Sequence, residues 1–416
     1  MFRKLMTLEE AQRAIAFHFK PPALGEEDAV LLEAYNRVLA RDVVSTLDIP
    51  PFSRSTMDGY AVKAEDTFGA DENQPANLKV TGVVNIGEQP QVIVGKGEAV
   101  EIVTGAPIPE GADAVVMVED TEREDSELHV FSSVAPKENV MKRGSDIKMD
   151  EAVLKKGQLL GSSEIGVLAA LGLTKVKVSR IPMVAVLSTG GEVTEPGKPL
   201  PPGKIYDINA YSISTAVTES GGKPVFFGVV ADDKEALSKA LHAALASSDM
   251  VITSGGVSVG PRDYTPQIVD SLGKPGIVVY GIAVKPGKPT TVGFAGDKPV
   301  FSLPGHPTSA LLIFYLLARP MIQQLAGRPL APMKTVRAAA GSRMFSAKGR
   351  RTFVTVRLMF DKSCRLIAEP VESGASGAIT TLTKADGFVE IPENEQFVDA
   401  DQEVTVFLFR SVSGKV

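Results

Sequence analysis

Met183–Leu187 is an unbroken apolar run, the pattern of a strand covered on both faces. Similar runs recur at Val225–Val230, Met250–Thr253, Val278–Val284, Thr290–Phe294 and Val300–Leu303. Helical stretches alternate with them: Asn209–Glu219, a helix opened by Asp232-Asp233, and one after Pro307. Strands alternating with helices predict a doubly wound α/β domain over residues 178–327.

The flanking segments read differently. Thr7 with Glu10 three residues on is a capping box, so a helix starts there. The spacing of Leu31, Leu32 and Tyr35 predicts a second helix over 26–36, and Val43–Pro51 reads as extended. Ser162–Leu171 reads as a helix capped by Ser162 or Ser163 and stopped by Gly172. Short alternating strands at Tyr60–Val62, Leu78–Val84, Ala99–Val103, Ala114–Val118 and Leu128–Phe131 predict a small barrel or sandwich. Val336–Ala340, Arg351–Phe360, Leu366–Pro370 and Glu403–Phe409 predict another at the carboxyl end. The expected division is an N-terminal linker and dimerisation region, 1–53 with 142–177, an inserted β-rich domain, 54–141, the α/β domain, 178–327, and a C-terminal β domain, 328–416.

A chain of 416 residues with 44% hydrophobic content is large enough for several packed cores. The net charge of −6 argues against nucleic acid as a partner, so an anion must be drawn by local positive groups. One cysteine, Cys364, excludes a disulfide framework and cysteine-ligated metal, and fits a cytoplasmic location. The longest apolar run, Ala310–Ala318, is too short to span a membrane and predicts a buried helix. The amino terminus turns acidic at once and does not read as a signal peptide.

Four loops carry the candidate chemistry. Ser188-Thr189-Gly190-Gly191-Glu192 and Ser254-Gly255-Gly256 with Ser258 and Asp263 follow apolar strands. So does Pro304-Gly305-His306-Pro307, while Lys285-Pro286-Gly287-Lys288 is a stiff turn bearing two amines. Ligands in open α/β sheets bind beyond the carboxyl ends of the strands. Glycine turns and helix starts there aim backbone N–H groups at anions. A single glycine pair is equally an ordinary turn; three such loops favour one phosphorylated ligand. No P-loop or dinucleotide fingerprint is present. Glu192, Asp207, Asp232 and Asp263 are hard oxygen donors of the kind that share Mg²⁺ with a phosphate, although Asp232 reads equally as a solvated acid. The four histidines show no metal-ligand spacing.

These loops, with Ser55-Thr-Met-Asp58-Gly-Tyr-Ala, the run Ile102-Val-Thr104-Gly-Ala-Pro and Arg143-Gly-Ser-Asp146-Ile, resemble the molybdopterin molybdenumtransferase family, relatives of the C-terminal domain of gephyrin. The resemblance covers nearly the whole chain. It implies an enzyme that takes adenylylated molybdopterin and molybdate, uses Mg²⁺, inserts molybdenum and releases AMP. It implies a homodimer with the cleft between one subunit's α/β domain and the other's N-terminal region, and a molybdopterin adenylyltransferase as a candidate supplier. By matching motifs, Asp58, Asp146, Glu192, Asp263 and Lys285 are expected catalytic positions. Thr104, Ser188, Thr189, Gly190, Ser254, Gly255, Gly256, Ser258, Lys288, Pro304, Gly305 and Pro307 are expected to hold the ligand, and Asp263, Glu192 and Asp232 the metal. Gly191, Gly281 and His306 depart from residues common in the family at those positions. The alternatives are a molybdopterin adenylyltransferase and a gephyrin-like scaffold.

Overall fold

The computed structural model describes residues 5–231, 233–255, 264–330, 332–371 and 380–409. At its centre is a six-stranded sheet built from β1 (Met183–Thr189), β2 (Lys223–Val230), β3 (Met250–Ser254), β4 (Pro275–Tyr280), β5 (Thr291–Ala295) and β6 (Lys298–Leu303). The spatial order is β2-β1-β3-β6-β5-β4. β2, β1, β3 and β6 run parallel, and β5 pairs antiparallel with both β6 and β4. The continuous apolar runs are explained by helices on both faces. Val184 and Val186 of β1 pack with α1 (Asn209–Glu219). Ala185 and Leu187 point the other way, toward α2 (Lys234–Ser247) and α3 (Thr265–Ser271).

The expected strand over Val278–Val284 stops at Tyr280. Gly281 turns there with φ +77, in the left-handed region that glycine tolerates. Val284–Lys285 then leaves for another sheet and pairs with Arg351–Thr352. The apolar run Ala310–Ala318 is a buried helix as expected: α4 (Pro307–Ile313) passes through a π turn, Phe314–Ala318, into Arg319–Leu325. No described helix is long and apolar enough to cross a membrane.

The first helix, Leu8–His18, begins with the expected capping box: Glu10 N donates to Thr7 Oγ1 at 3.1 Å and Thr7 N to Glu10 Oε2 at 2.8 Å. Leu8, Ala11 and Ile15 pack into the core that also holds Val279, Val292 and Phe294 of the central sheet. Met6 bridges Ile282. The helix is first in sequence but sits in the central layer.

The helix expected over 26–36 is not formed. Glu26–Val30 is a strand, antiparallel to Lys175–Ser179, followed by turns. Asp28 lies opposite Lys177 and bonds to it at 2.8 Å, while Ala29, Val176 and Val178 share a core. The distant partner strand outweighs the local helical spacing, and Leu32 and Tyr35 are left exposed. Only Val43–Val44 of the extended segment is a strand, paired with Ala152–Leu154. The helix Ser162–Ala170 is capped by Gly161, not by either serine. Gly161 N donates to Glu164 Oε2 at 2.9 Å, which places both serines inside the first turn.

The insertion is a six-stranded sheet in the order Ala114–Met117, Gly59–Val62, Glu98–Ile102, Ala76–Val84, Glu127–Val130, Thr121–Glu124. Its faces bury separate cores, one around Val62, Leu128 and Val130, the other around Val100, Ile102 and Val115. At the carboxyl end Arg351–Phe360, Leu366–Pro370, Thr335–Ala340, Glu403–Leu408 and Gly387–Ile391 close into a five-stranded barrel, the last strand pairing back onto the first. Arg351 ties the parts together: its guanidinium meets Glu9 of the first helix, Glu390 at 3.1 Å and Glu393 at 3.2 Å.

Candidate functional site

β1, β3 and β6 end side by side, with Ser188 opposite Ser254 and Ser254 opposite Leu303. Gly255 has φ +89, and a Cβ there would overlap the Thr189 carbonyl oxygen. Its N–H donates to Leu303 O at 3.2 Å. A Cβ on Gly305 would lie 3.8 Å from Gly255 Cα. Three of the four loops singled out in the sequence thus meet through Gly255, where the lack of a Cβ permits the close approach to Thr189.

Asn209, at the start of α1, fastens them. Its Nδ2 donates to Ser254 Oγ and to Gly305 O, each at 2.7 Å. Asp207, 5% exposed, accepts from Ala210 N at 3.1 Å through Oδ1. The opposite oxygen, Asp207 Oδ2, has no partner among the described residues; nor have Ser188 Oγ, Thr189 Oγ1, Asn209 Oδ1 and Ser302 Oγ, all buried. An unsatisfied buried polar group costs roughly 1–3 kcal/mol. A cluster of them at the carboxyl end of one sheet is what a polar ligand would satisfy. The sequence alone marks Asp207 as one oxygen donor among several and Asn209 as a helix start. The cue was Asp-Ile-Asn placed just before a helix.

The lysine turn is next to this rim. Gly287, φ +111, is pressed on α4: a Cβ would lie 2.6 Å from Ile313 Cδ1. Lys285 and Lys288 are exposed. Lys285, Thr308, Arg343, Thr352 and Thr381 line a 490 Å³ cleft between the central domain and the barrel. Pro304 and Pro307 are buried, Gly305 and His306 exposed, and Pro307 is the first residue of α4. The Glu192 carboxylate folds over Gly190, φ +141, where a Cβ would meet Oε2 at 2.8 Å. Asp232, Gly256, Ser258 and Asp263 lie outside the described residues. Among the described residues no three His, Cys, Asp or Glu side chains group as a metal site.

Asp58, Thr104 and Asp146 are in the N-terminal body. Asp58 Oδ1 accepts from Thr104 N at 2.7 Å and Thr104 Oγ1 at 3.0 Å. The backbone bond first, and the hydroxyl second, hold its carboxyl below the usual carboxylate range. The two loops are laced together: Gly105 N donates to Ser55 O and Ser55 N to Ala106 O, both at 2.9 Å. The Asp146 loop adjoins them, since Arg143 N donates to Ser53 Oγ at 3.2 Å and Arg143 pairs with Asp48 at 2.7 Å. Asp146 is exposed, and its N–H donates to Ile49 O at 3.0 Å. The hydrogen bonds of Asp58, Thr104 and Asp146 all stay within this body.

This central domain is of a known class: residues 185–324 match the family described as a probable molybdopterin binding domain. The flanks match too, 6–172 to the MoeA N-terminal region (domain I and II) and 337–409 to the MoeA C-terminal region (domain IV). The chain belongs to the MoeA family. It is 34% identical to the molybdopterin molybdenumtransferase of Haemophilus influenzae, covering 99% of this chain and 100% of the relative. It is 34% identical to the molybdopterin molybdenumtransferase of a Nostoc species, covering 94% of this chain and 91% of that one. The crystal structure of the molybdopterin biosynthesis MoeA protein from Pyrococcus horikoshii superposes with a TM-score of 0.85 at 43% identity, over 98% of this chain and 100% of that one.

Proposed function

We propose that the chain is a molybdopterin molybdenumtransferase, which transfers molybdenum from molybdate to adenylylated molybdopterin with release of AMP. The observation that carries this reading is the set of buried, partnerless oxygens at the carboxyl rim of the central sheet, in a chain that matches transferase relatives along its full length. Ser188, Thr189 and Asn209 would accept N–H and O–H donors of the pterin, and the Asn209 bridge keeps the Ser254 and Gly305 loops at a fixed spacing. Lys285, in the adjoining cleft, supplies positive charge for molybdate.

Hard oxygens at the rim fit a Mg²⁺ ion. Asp207 Oδ2 is a buried carboxylate oxygen with no hydrogen-bond partner among the described residues, and Glu192, Asp232 and Asp263 are the acids expected to complete the set. When bound, the ion would neutralise charge on the phosphoanhydride. Asp58 and Asp146 are exposed acids on hydrogen-bonded loops, a form suited to completing the pocket of a second copy; on this reading the working unit is a homodimer. A cytoplasmic location agrees with a free Cys364, and a molybdopterin adenylyltransferase would supply the substrate. The adenylyltransferase alternative leaves the β insertion and the barrel without a task; a scaffold leaves the partnerless rim without one.

The test is AMP release, followed by chromatography, from adenylylated molybdopterin with molybdate and Mg²⁺. No AMP release, or consumption of ATP with molybdopterin alone, would overturn the reading.

A further inference from the structure

The seam between the N-terminal body and the central domain lies at the amino ends of β1 and β2, the opposite edge of the sheet from the rim. A 140 Å³ cavity there is lined by Arg37, Arg180 and Arg328, with Asn36, Ser179 and Gly221 between them. A single water needs roughly 10–15 Å³ of such space, so the cavity has room for a small hydrated ion. Two of the three guanidiniums have acidic partners. Arg37 pairs with Glu27 and donates to Ser179 O at 2.8 Å. Arg180 pairs with Asp249 at 2.9 Å and donates to Leu24 O at 2.9 Å.

Arg328 differs. It donates to two backbone carbonyls, Asn36 O at 2.8 Å and Glu219 O at 3.4 Å, and meets no carboxylate among the described residues. The Glu219 carboxylate is taken by the Tyr315 hydroxyl at 3.2 Å. Burial first, and then the like charge of Arg319, depress the Arg328 guanidinium below its usual range, yet arginine stays charged. Gly221, φ +91, is shaped to this side chain: a Cβ would overlap Arg328 Nε. One accepting carbonyl, Glu219 O, ends α1 and suits a cation, and the other, Asn36 O, belongs to the N-terminal body; neither carries the full negative charge that Glu27 and Asp249 bring to Arg37 and Arg180. A half-buried cation in that setting is a seat for an anion.

We infer that this cavity binds a small tetrahedral oxyanion, as free inorganic phosphate or sulfate or as the terminal phosphate of a nucleotide, and that the ion clamps the N-terminal body to the central domain. Arginine is the residue whose planar fork matches such an oxyanion. The site is separate from the molybdate position proposed at the rim.

The experiment is calorimetric titration of the full-length protein with inorganic phosphate, sulfate or AMP, at ionic strength held constant with KCl. Saturable binding is expected, weakened about ten- to a hundredfold in Arg328→Gln, with AMP release by that variant within about twofold of the parent protein. Equal, Arg328-dependent binding of phosphate and sulfate identifies a free ion, and tighter binding of AMP identifies a nucleotide phosphate only where Arg328→Gln weakens it too, since AMP bound at the rim would be left unchanged by that variant. Should Arg328→Gln fail to fold, crystals of the parent protein soaked in selenate must show an anomalous peak within hydrogen-bond distance of Arg328. Absence of that peak, absence of binding beyond the KCl control, or unchanged binding by Arg328→Gln overturns the proposal. Because the readout is anion binding, it stands or falls apart from transferase activity.

Discussion

The rim of the central sheet and the Asp58–Thr104 loop pair both present acids, but in opposite states. Asp58 is exposed, and one of its oxygens already accepts two hydrogen bonds from Thr104. Asp207 is buried, and one of its oxygens accepts nothing from the described residues. The first acid has its other oxygen on the exposed side, where water can satisfy it. The second has no access to bulk water, so under the proposed function its free oxygen is the one a ligand would satisfy. On the proposed function, the site would divide into a receiving part that is under-bonded and a presenting part held by hydrogen bonds on one oxygen.

The largest effect is expected from Gly255→Ala. Its positive φ and its contact with the Thr189 carbonyl leave no room for a methyl group. Strain on the order of 1–3 kcal/mol should lower the melting temperature, and AMP release should be lost. Gly87→Ala, also at positive φ but with nothing within 4 Å, should cost about 1 kcal/mol and leave turnover intact. Equal effects of the two would erase the distinction drawn for the rim.

Asp207→Asn keeps the acceptor for Ala210 N and removes the charge of the partnerless oxygen. Turnover should fall on the order of a hundredfold, while thermal stability holds or rises. Loss of stability with turnover retained would reduce Asp207 to a helix cap. Lys285→Ala should cost about ten- to a hundredfold, read chiefly in the KM for molybdate.

The smallest effect belongs to the braced loop. Thr104→Ala removes the hydroxyl bond to Asp58 but keeps the stronger backbone bond. Because the folded carboxyl titrates below its unfolded value, the stability it contributes is present above the unfolded pKa and is lost as pH falls through the folded one. In the variant the Asp58 titration, followed by carboxyl NMR, should move part of the way back up, so the acid limb shifts to higher pH. No movement would show that Thr104 Oγ1 does not brace the acid.

What the sequence revealed depended on how local the cause was. Helix Asn209–Glu219 and strand Arg351–Phe360 were legible to the residue, because apolar spacing and flanking breakers are local. Glu26–Val30 misled because its partner, Lys175–Ser179, is remote, and only their pairing shows why Asp28 belongs in a strand. Thr121–Glu124, polar throughout, shows no apolar pattern and is a strand by virtue of its hairpin partner, Glu127–Val130. At the rim the glycine loops were visible as motifs. The two hydrogen bonds that Asn209 Nδ2 donates, to Ser254 and Gly305, join three segments that no local pattern connects.

The seat of the first helix carries a consequence for how the protein is made. Leu8, Ala11 and Ile15 belong to the core that holds Val279 and Phe294, and Met6 bridges Ile282. At a ribosomal pace of roughly 5–20 residues per second, the helix waits on the order of tens of seconds before those strands are translated. Its greasy side stands uncovered on the nascent chain for that interval, so the segment that emerges first is among the last to find its place, and a chaperone that shields it should raise the yield of folded protein.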